Sequence, residues 1–275
     1  METGKNRFLS LVIPVYNEEE VLETSFSRMD EVMRSTGYDY EIIYVNDGSR
    51  DGTMELLRAL AKQHEYVRVL SFSRNFGHQL AVTCGMDAAK GDALIVIDVD
   101  LQDPPEVIPQ MIALWEQGAD IVYGKRLRRK GETFFKKLTA SLYYRLLASM
   151  SAYPIPLDTG DFRLLSRNVA DVFLRMREHS RFLRGMSAWM GFNAVPLEYE
   201  RQERFAGSSK YPLKKMLRLA IDGITGFSEK PLTLPFWTGC ALMGLSGLSL
   251  IALIVCAATV GAAPWLWAVA GIVFL

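Results

Sequence analysis

The sequence predicts an α/β domain, a mostly parallel sheet flanked by helices, joined to an apolar tail. Three observations carry this. Runs of β-branched and aromatic residues alternate with stretches of helical periodicity, and several of those runs are apolar at nearly every position. Every charged side chain of the 275 residues lies at or before Lys230, and Pro231 to Leu275 carries none.

Taken in order, Ser10–Val15 and Tyr40–Val45 read as strands, each followed by polar turn residues and then a helical pattern. Leu22, Phe26, Met29 and Met33 fall on one helical face, as do Leu56, Leu57 and Leu60, which suits helices that cover a sheet. Val67–Phe72, Ala93–Ile97 and Ile121–Tyr123 supply further strands. A run such as ALIVI is buried on both faces, and in such sheets ligands bind beyond the carboxyl ends of the strands. After Gly124 the alternation stops at a basic, aromatic stretch, read as a loop and then an amphipathic helix with Phe134, Phe135, Leu138, Leu142 and Leu146 along one side. A strand at Phe162–Leu165, a helix near Val169–Met176, a strand at Val195–Tyr199 and a helix from about Pro212 to Phe227 follow. There is no internal repeat.

Lys+Arg and Asp+Glu balance at 31 each, so net charge predicts no polyanionic partner such as nucleic acid. The odd set Cys84, Cys240 and Cys256 and three scattered histidines argue against a disulfide framework and a zinc site. No apolar signal core precedes the first strand, which places the polar body in the cytoplasm. Phe236–Val260 would make about 37 Å of helix, against a hydrocarbon core of about 30 Å, and Trp265–Leu275 begins a second apolar segment. Lys214, Lys215, Arg218 and Lys230 precede the first span, again putting the polar body inside. The expected divisions are a catalytic domain at 1–207, a juxtamembrane amphipathic helix at 208–230, and a membrane region at 231–275 with one full span near 236–260 and the start of another at 265–275.

The strongest local signal is IVIDVDLQDPPE, where Asp98 and Asp100 close a buried strand and Gln102 and Asp103 follow. Residues two apart on an extended strand point the same way, so Asp98 and Asp100 can share a metal, with the Gln102 amide oxygen added. Magnesium or manganese suits such donors and completes its shell with substrate phosphates. At the first strand end stand Pro14, Tyr16, Asn17 and Glu18, and at the second VNDGSRDGT. There Asp47 can accept from a base or ribose, Gly48 and Gly52 permit tight turning, and Ser49 is expected to cap the next helix. A turn is the plain alternative for each segment alone, but three such motifs at successive strand ends point to a nucleotide site.

These motifs resemble those of the inverting glycosyltransferases of the GT-A fold. RNFGHQ (Arg74–Gln79), DLQDPPE, DTGDFRL (Asp158–Leu164) and AGSSKYPLKKM (Ala206–Met216), followed by apolar spans, are similar to the polyprenyl-phosphate glycosyltransferases, among them bactoprenol glucosyltransferases and dolichyl-phosphate mannose synthase. The resemblance implies transfer of glucose from UDP-glucose to undecaprenyl phosphate, at the bacterial inner membrane with the catalytic domain cytoplasmic, for modification of surface polysaccharide. It implies that Pro14, Tyr16, Glu18 and Asp47 hold the nucleoside, that Asp98 and Val99 meet the donor, that Asp100 and Gln102 bind Mg2+ or Mn2+, and that Asp158 and Asp161 lie near the sugar or the acceptor. The basic residues Arg126, Arg128, Arg129 and Lys137, with Arg204 and Lys210, are expected to face the lipid phosphate while the amphipathic helix meets the bilayer. A homo-oligomer is compatible with the sequence.

A phosphate monoester is already largely dianionic at cytoplasmic pH, its second pKa being about 6, so the acceptor needs no strong general base. The site must supply position, charge and exclusion of water. A processive polysaccharide synthase is the first alternative, but the nearby Trp189 follows SRFLRGMSA where a Q-x-x-R-W motif is expected. A membrane-tethered nucleotide-binding protein without turnover is the second. No G-x-G-x-x-G follows the first strand, against a dehydrogenase.

Overall fold

The computed structural model describes residues 7–127, 159–176, 178, 181–202 and 230–260. The expected helices around 134–146 and 212–227 and the segment 265–275 lie outside the described residues. The chain divides into two compact units, Met1–Gly226 and Phe227–Leu275.

In the first unit, seven strands form one sheet: β1 (Phe8–Val15), β2 (Asp39–Asn46), β3 (Val67–Ser71), β4 (Ala93–Val96), β5 (Ile121–Arg126), β6 (Thr159–Ser166) and β7 (Ala194–Tyr199). Their order is β3-β2-β1-β4-β6-β5-β7. All pairings are parallel except those of β6, which runs antiparallel to both β4 and β5. Strand positions therefore match the sequence reading to within a few residues; the direction of β6 has no counterpart in its hydrophobic pattern, because both faces are buried either way.

Alternation along β1 sorts the layers. Leu9, Leu11, Ile13 and Val15 join Ile42 and Tyr44 of β2 in a core covered by α1 (Leu22–Ser35) through Leu22, Phe26, Met29 and Met33, and by α2 (Thr53–Gln63) through Leu57 and Leu60. On the other face, α3 (His78–Ala88) comes close enough that a Cβ on Gly85 would lie 2.3 Å from Val12 Cγ1. The sequence reading had no helix there: α3 is apolar without a clear stripe, as suits a helix half sunk against a sheet. After β4, Pro104 and Pro105 start a 3-10 turn, Pro105–Val107, that runs into α4 (Ile108–Glu116), the prolines occupying positions where no intrahelical N–H is needed. Two further helices, α5 (Arg167–Arg175) and α6 (Leu183–Trp189), follow β6.

The chain winds from β1 to β2 and β3 in one direction, then returns through α3 to place β4 on the other side of β1. This reversal opens a crevice beyond the carboxyl ends of β1 and β4, where open α/β sheets bind ligands. In the second unit, α7 (Lys230–Val260) has its stretch Pro235–Cys256 long and apolar enough to cross a membrane.

Candidate active site

Three strand ends build the crevice. The loops after β1 and β2 are tied together: Asn17 N–H donates to Ser49 Oγ (2.9 Å), Arg50 N–H to Asn17 Oδ1 (2.8 Å), Glu18 N–H to Thr53 Oγ1 (3.0 Å) and Gly52 N–H to Glu19 Oε2 (2.6 Å). Asn17 takes a left-handed conformation, φ 53°, which an asparagine tolerates well. Ser49 thus bridges loops and does not cap a helix; Asp51 accepts from the Thr53 N–H that opens α2. Pro14 is buried within β1, while Tyr16 and Glu18 are half-buried at its end.

Asp47 is 3% exposed, and its two oxygens accept the N–H groups of Phe76 (2.7 Å) and Gly77 (2.9 Å). The carboxylate expected at a nucleoside therefore grips the RNFGHQ loop, which leads into α3. That loop passes so close over Gly48 (φ 68°) that a Cβ there would meet the Arg74 carbonyl carbon at 2.4 Å. Gly48 is required for both reasons.

β4 ends at Val96, earlier than expected, and residues 98–103 form turns with Leu101 at φ 56°. Ile97, Val99 and Leu101 all enter the core, while Asp98 is half-buried and Asp100 is 8% exposed. Val99 has its side chain in that core, which leaves its main chain as the part that a donor can meet. Desolvation and the crowding of Asp100, Asp103 and Asp161 push Asp98 up to about 6, with His78 opposing. Its side chain keeps 36% of its surface open, enough for a ligand to reach it. Gln102 N–H donates to Asp100 Oδ1 (3.1 Å), and Gln102 Oε1 accepts from Arg201 Nη2 (2.6 Å).

Asp103, which the sequence reading left without a role, anchors this loop. Its carboxylate, 1% exposed, accepts both bonds from Arg126 Nη2 (3.1 and 3.2 Å) and a short bond from the Tyr199 hydroxyl, and Arg201 Nε stands 3.8 Å away. Arg126 thus reaches across from β5 to the acidic loop.

A second cluster forms on β6. Asp161, 7% exposed, receives Arg184 Nε (3.0 Å) and Gln79 Nε2 (3.1 Å), with His78 Nε2 at 3.1 Å and Arg163 Nη2 at 3.7 Å. Burial would raise its pKa, but Arg184, His78 and Arg163 hold it well below the ordinary carboxylate range. His78 Nε2 also lies 3.8 Å from Asp98 Oδ1; burial alone would lower this imidazole, yet Asp98 and Asp161 raise it to about 9. Arg163 is fully enclosed, donating to the Leu183 and Gly160 carbonyls and to Ser187 Oγ, and burial lowers it to about 10.

The structure thus gathers Asp98, Asp100, Gln102, Asp161 and Arg126 at the β4–β6–β5 end, and Tyr16, Glu18 and Asp47 at the β1–β2 end. Asp158, Arg128, Arg129, Lys137, Arg204 and Lys210 lie outside the described residues. His78, Gln79, Arg184 and Arg201 were not predicted as site residues; His78 and Gln79 stand within the RNFGHQ motif, but Arg184 reaches Asp161 from 23 residues on and Arg201 reaches Gln102 from 99 residues on. Among the described residues no three His, Cys, Asp or Glu side chains group as a metal site. The two carboxylates Asp98 and Asp100 with the Gln102 amide are a donor set whose chemistry fits a hard cation that brings most of its oxygen ligands with a substrate, and Arg201 Nη2 is seated on Gln102 Oε1.

The mostly parallel sheet flanked by helices, with its acidic loop at the switch point, is a ligand-binding α/β architecture of the GT-A kind. The chain belongs to glycosyl transferase family 2, whose profile matches residues 10–174. It is 53% identical over 235 residues to the glycosyltransferase YkcC of Bacillus subtilis (strain 168), covering 86% of this chain and 73% of that one. To the bactoprenol glucosyl transferase of Shigella phage SfV it is 42% identical over 238 residues, 86% and 78% of the two chains. The prophage bactoprenol glucosyl transferase homolog of Escherichia coli K12 is 43% identical over 86% of this chain and 76% of its own. Among solved structures, glucosyl-3-phosphoglycerate synthase from Mycobacterium tuberculosis in complex with Mn2+, UDP-glucose and phosphoglyceric acid superposes with a TM-score of 0.53 at 21% identity, over 80% of this chain and 79% of that one, a likeness of fold.

Proposed function

We propose that this glycosyltransferase moves glucose from UDP-glucose to the phosphate of undecaprenyl phosphate, with inversion at the anomeric carbon. The observation that carries the reading is the loop Asp98–Asp103 at the switch point, in a chain 42% identical to a bactoprenol glucosyl transferase. A phosphate oxygen of the acceptor forms the new bond to the anomeric carbon as the bond to the nucleoside diphosphate breaks on the opposite side. Tyr16 and Glu18 line the nucleoside end, and Asp47 contributes by holding the Phe76–Gly77 turn against it. Asp98 meets the donor sugar. Asp100 and Gln102 would hold Mg2+ or Mn2+, which when bound neutralises the departing diphosphate.

Asp161, its oxygens already taken by Arg184 and Gln79 with His78 Nε2 3.1 Å away, acts by positioning, and Arg126 sets the acidic loop through Asp103. The acceptor phosphate falls to the basic residues Arg128, Arg129, Lys137, Arg204 and Lys210, with Asp158 nearby. The catalytic domain occupies 1–207 on the cytoplasmic side of the bacterial cell membrane, followed by a juxtamembrane helix at 208–230 and the membrane region at 231–275.

The test is incubation of the purified protein with Mn2+ or Mg2+, undecaprenyl phosphate and a panel of UDP- and GDP-sugars, following lipid-linked product by mass, with Asp100→Ala as control. Hexosyl lipid phosphate from UDP-glucose, absent in the variant and of β configuration by NMR, is the expected result. Product from a different donor would replace the sugar assignment, the α anomer would end the inversion, and no product from any donor would favour a non-catalytic tether.

A further inference from the structure

Two docking contacts hold Arg201 and Gln202 on the acidic loop. Gln202 N–H donates to the Gln102 carbonyl (2.9 Å), and Gln202 Oε1 accepts from Arg28 Nη1 (3.2 Å), itself paired with Glu106. This tether puts the Arg201 guanidinium against the oxygen donors of the loop: Nη2 is 2.6 Å from Gln102 Oε1 and Nε is 3.8 Å from Asp103 Oδ1. An amide oxygen so engaged has its best lone pair directed at a cation that the protein itself supplies.

We infer that Arg201 is a resident cation of the acidic loop, which competes with a divalent ion for Gln102 and is displaced when that ion binds. The inference rests on the proposed role of Gln102 as a metal ligand. Two features support it beyond the contact itself. Its side chain is 35% exposed, so the guanidinium has an outlet to solvent. Asp103 does not depend on it, since Arg126 and Tyr199 already satisfy that carboxylate.

The consequence is a loop that holds a metal weakly on its own. Without Arg201, the Gln102 amide oxygen would be open to a divalent ion; with it, an ion is favoured most when a diphosphate adds its own negative charge. Displacement also frees a guanidinium whose N–H groups match phosphate oxygens.

Binding of Mn2+ alone, without nucleotide or lipid, tests this. The full chain in detergent is titrated with Mn2+ and the free aquo ion is followed by electron paramagnetic resonance, for the wild type, Arg201→Gln, Gln102→Ala and the double variant. Removing a competing charge at this range should tighten Mn2+ binding in Arg201→Gln by about tenfold. In the Gln102→Ala background the same substitution should give little gain, because the contested ligand is gone. A merely structural Arg201 would loosen the loop and weaken binding, the opposite sign. Wild-type binding with no tightening in Arg201→Gln overturns the competition and leaves the metal reading standing; tightening that persists in full without Gln102 also overturns it, making Arg201 a remote charge. Absence of Mn2+ binding in all four proteins, with binding restored by added UDP, overturns the competition and leaves the metal reading standing; absence with UDP present as well removes both.

Discussion

Arg126 Nη2 lies 3.1 Å from Asp103 Oδ2, joining β5 to the loop that follows β4. Asp103 is 1% exposed and the Arg126 side chain 15%, so neither charge has water to fall back on. Breaking one partner of a buried pair strands the other, at a cost of about 3 kcal/mol or more. Asp103→Ala is therefore expected to destabilise the protein by that amount and to lower activity with it, read by chemical unfolding in detergent beside the transferase assay. A loss of activity without loss of stability would mean that Asp103 itself touches a substrate.

The same pair explains a glycine on β6. A Cβ at residue 160 would stand 2.5 Å from Arg126 Nη2 and 3.5 Å from Asp103 Oδ2. Gly160→Ala should push the guanidinium off its partner, with destabilisation of about 1–3 kcal/mol. Because Arg126 ends in a mobile group, the Asp103→Ala and Gly160→Ala effects should overlap strongly; additive losses in the double variant would show that they act separately.

The parallel half of the sheet was legible in the sequence because each strand is a local apolar run closed by turn residues, and the three motifs fell at strand ends for the same reason. What was not legible depends on partners far along the chain. Nothing near Asp161 announces that Arg184 and Gln79 will fill its oxygens, and Asp103 looked like one more turn acid beside two prolines. Asp47 shows the difference well. Its place at a strand end was readable, but its partners are backbone N–H groups about thirty residues on, which carry no side-chain signature.

Those backbone bonds make Asp47 testable apart from any ligand. Asp47→Asn keeps size and one carbonyl oxygen but turns an NH2 group toward either Phe76 or Gly77. Losing one charge-assisted bond should cost about 2 kcal/mol. The amides of Phe76 and Gly77 should exchange with deuterium markedly faster, and UDP affinity should fall as the loop loosens. Unchanged exchange at both amides would refute the role of Asp47 as a clamp on that loop.

His78 faces Asp98 and Asp161 on one side, with Arg184 beyond them. Its pKa rises from the ordinary 6.5 to about 9 in the folded protein, so folding favours the protonated ring. The stability this contributes is fully present below about 6.5, where the unfolded chain is protonated too, and is lost as pH rises through about 9. Asp161 stays ionised across that window, because Arg184 and His78 outweigh burial and hold it low. His78→Gln keeps an N–H donor but removes the charge. The stability gap between wild type and variant, measured by unfolding in detergent, should be wide near pH 7, where Asp98 is still ionised, and close as pH passes 9; below about 6 protonation of Asp98 narrows it again. A gap that is constant across this range would mean that the ring contributes through packing alone, and that the two carboxylates do not depend on it for their charge balance.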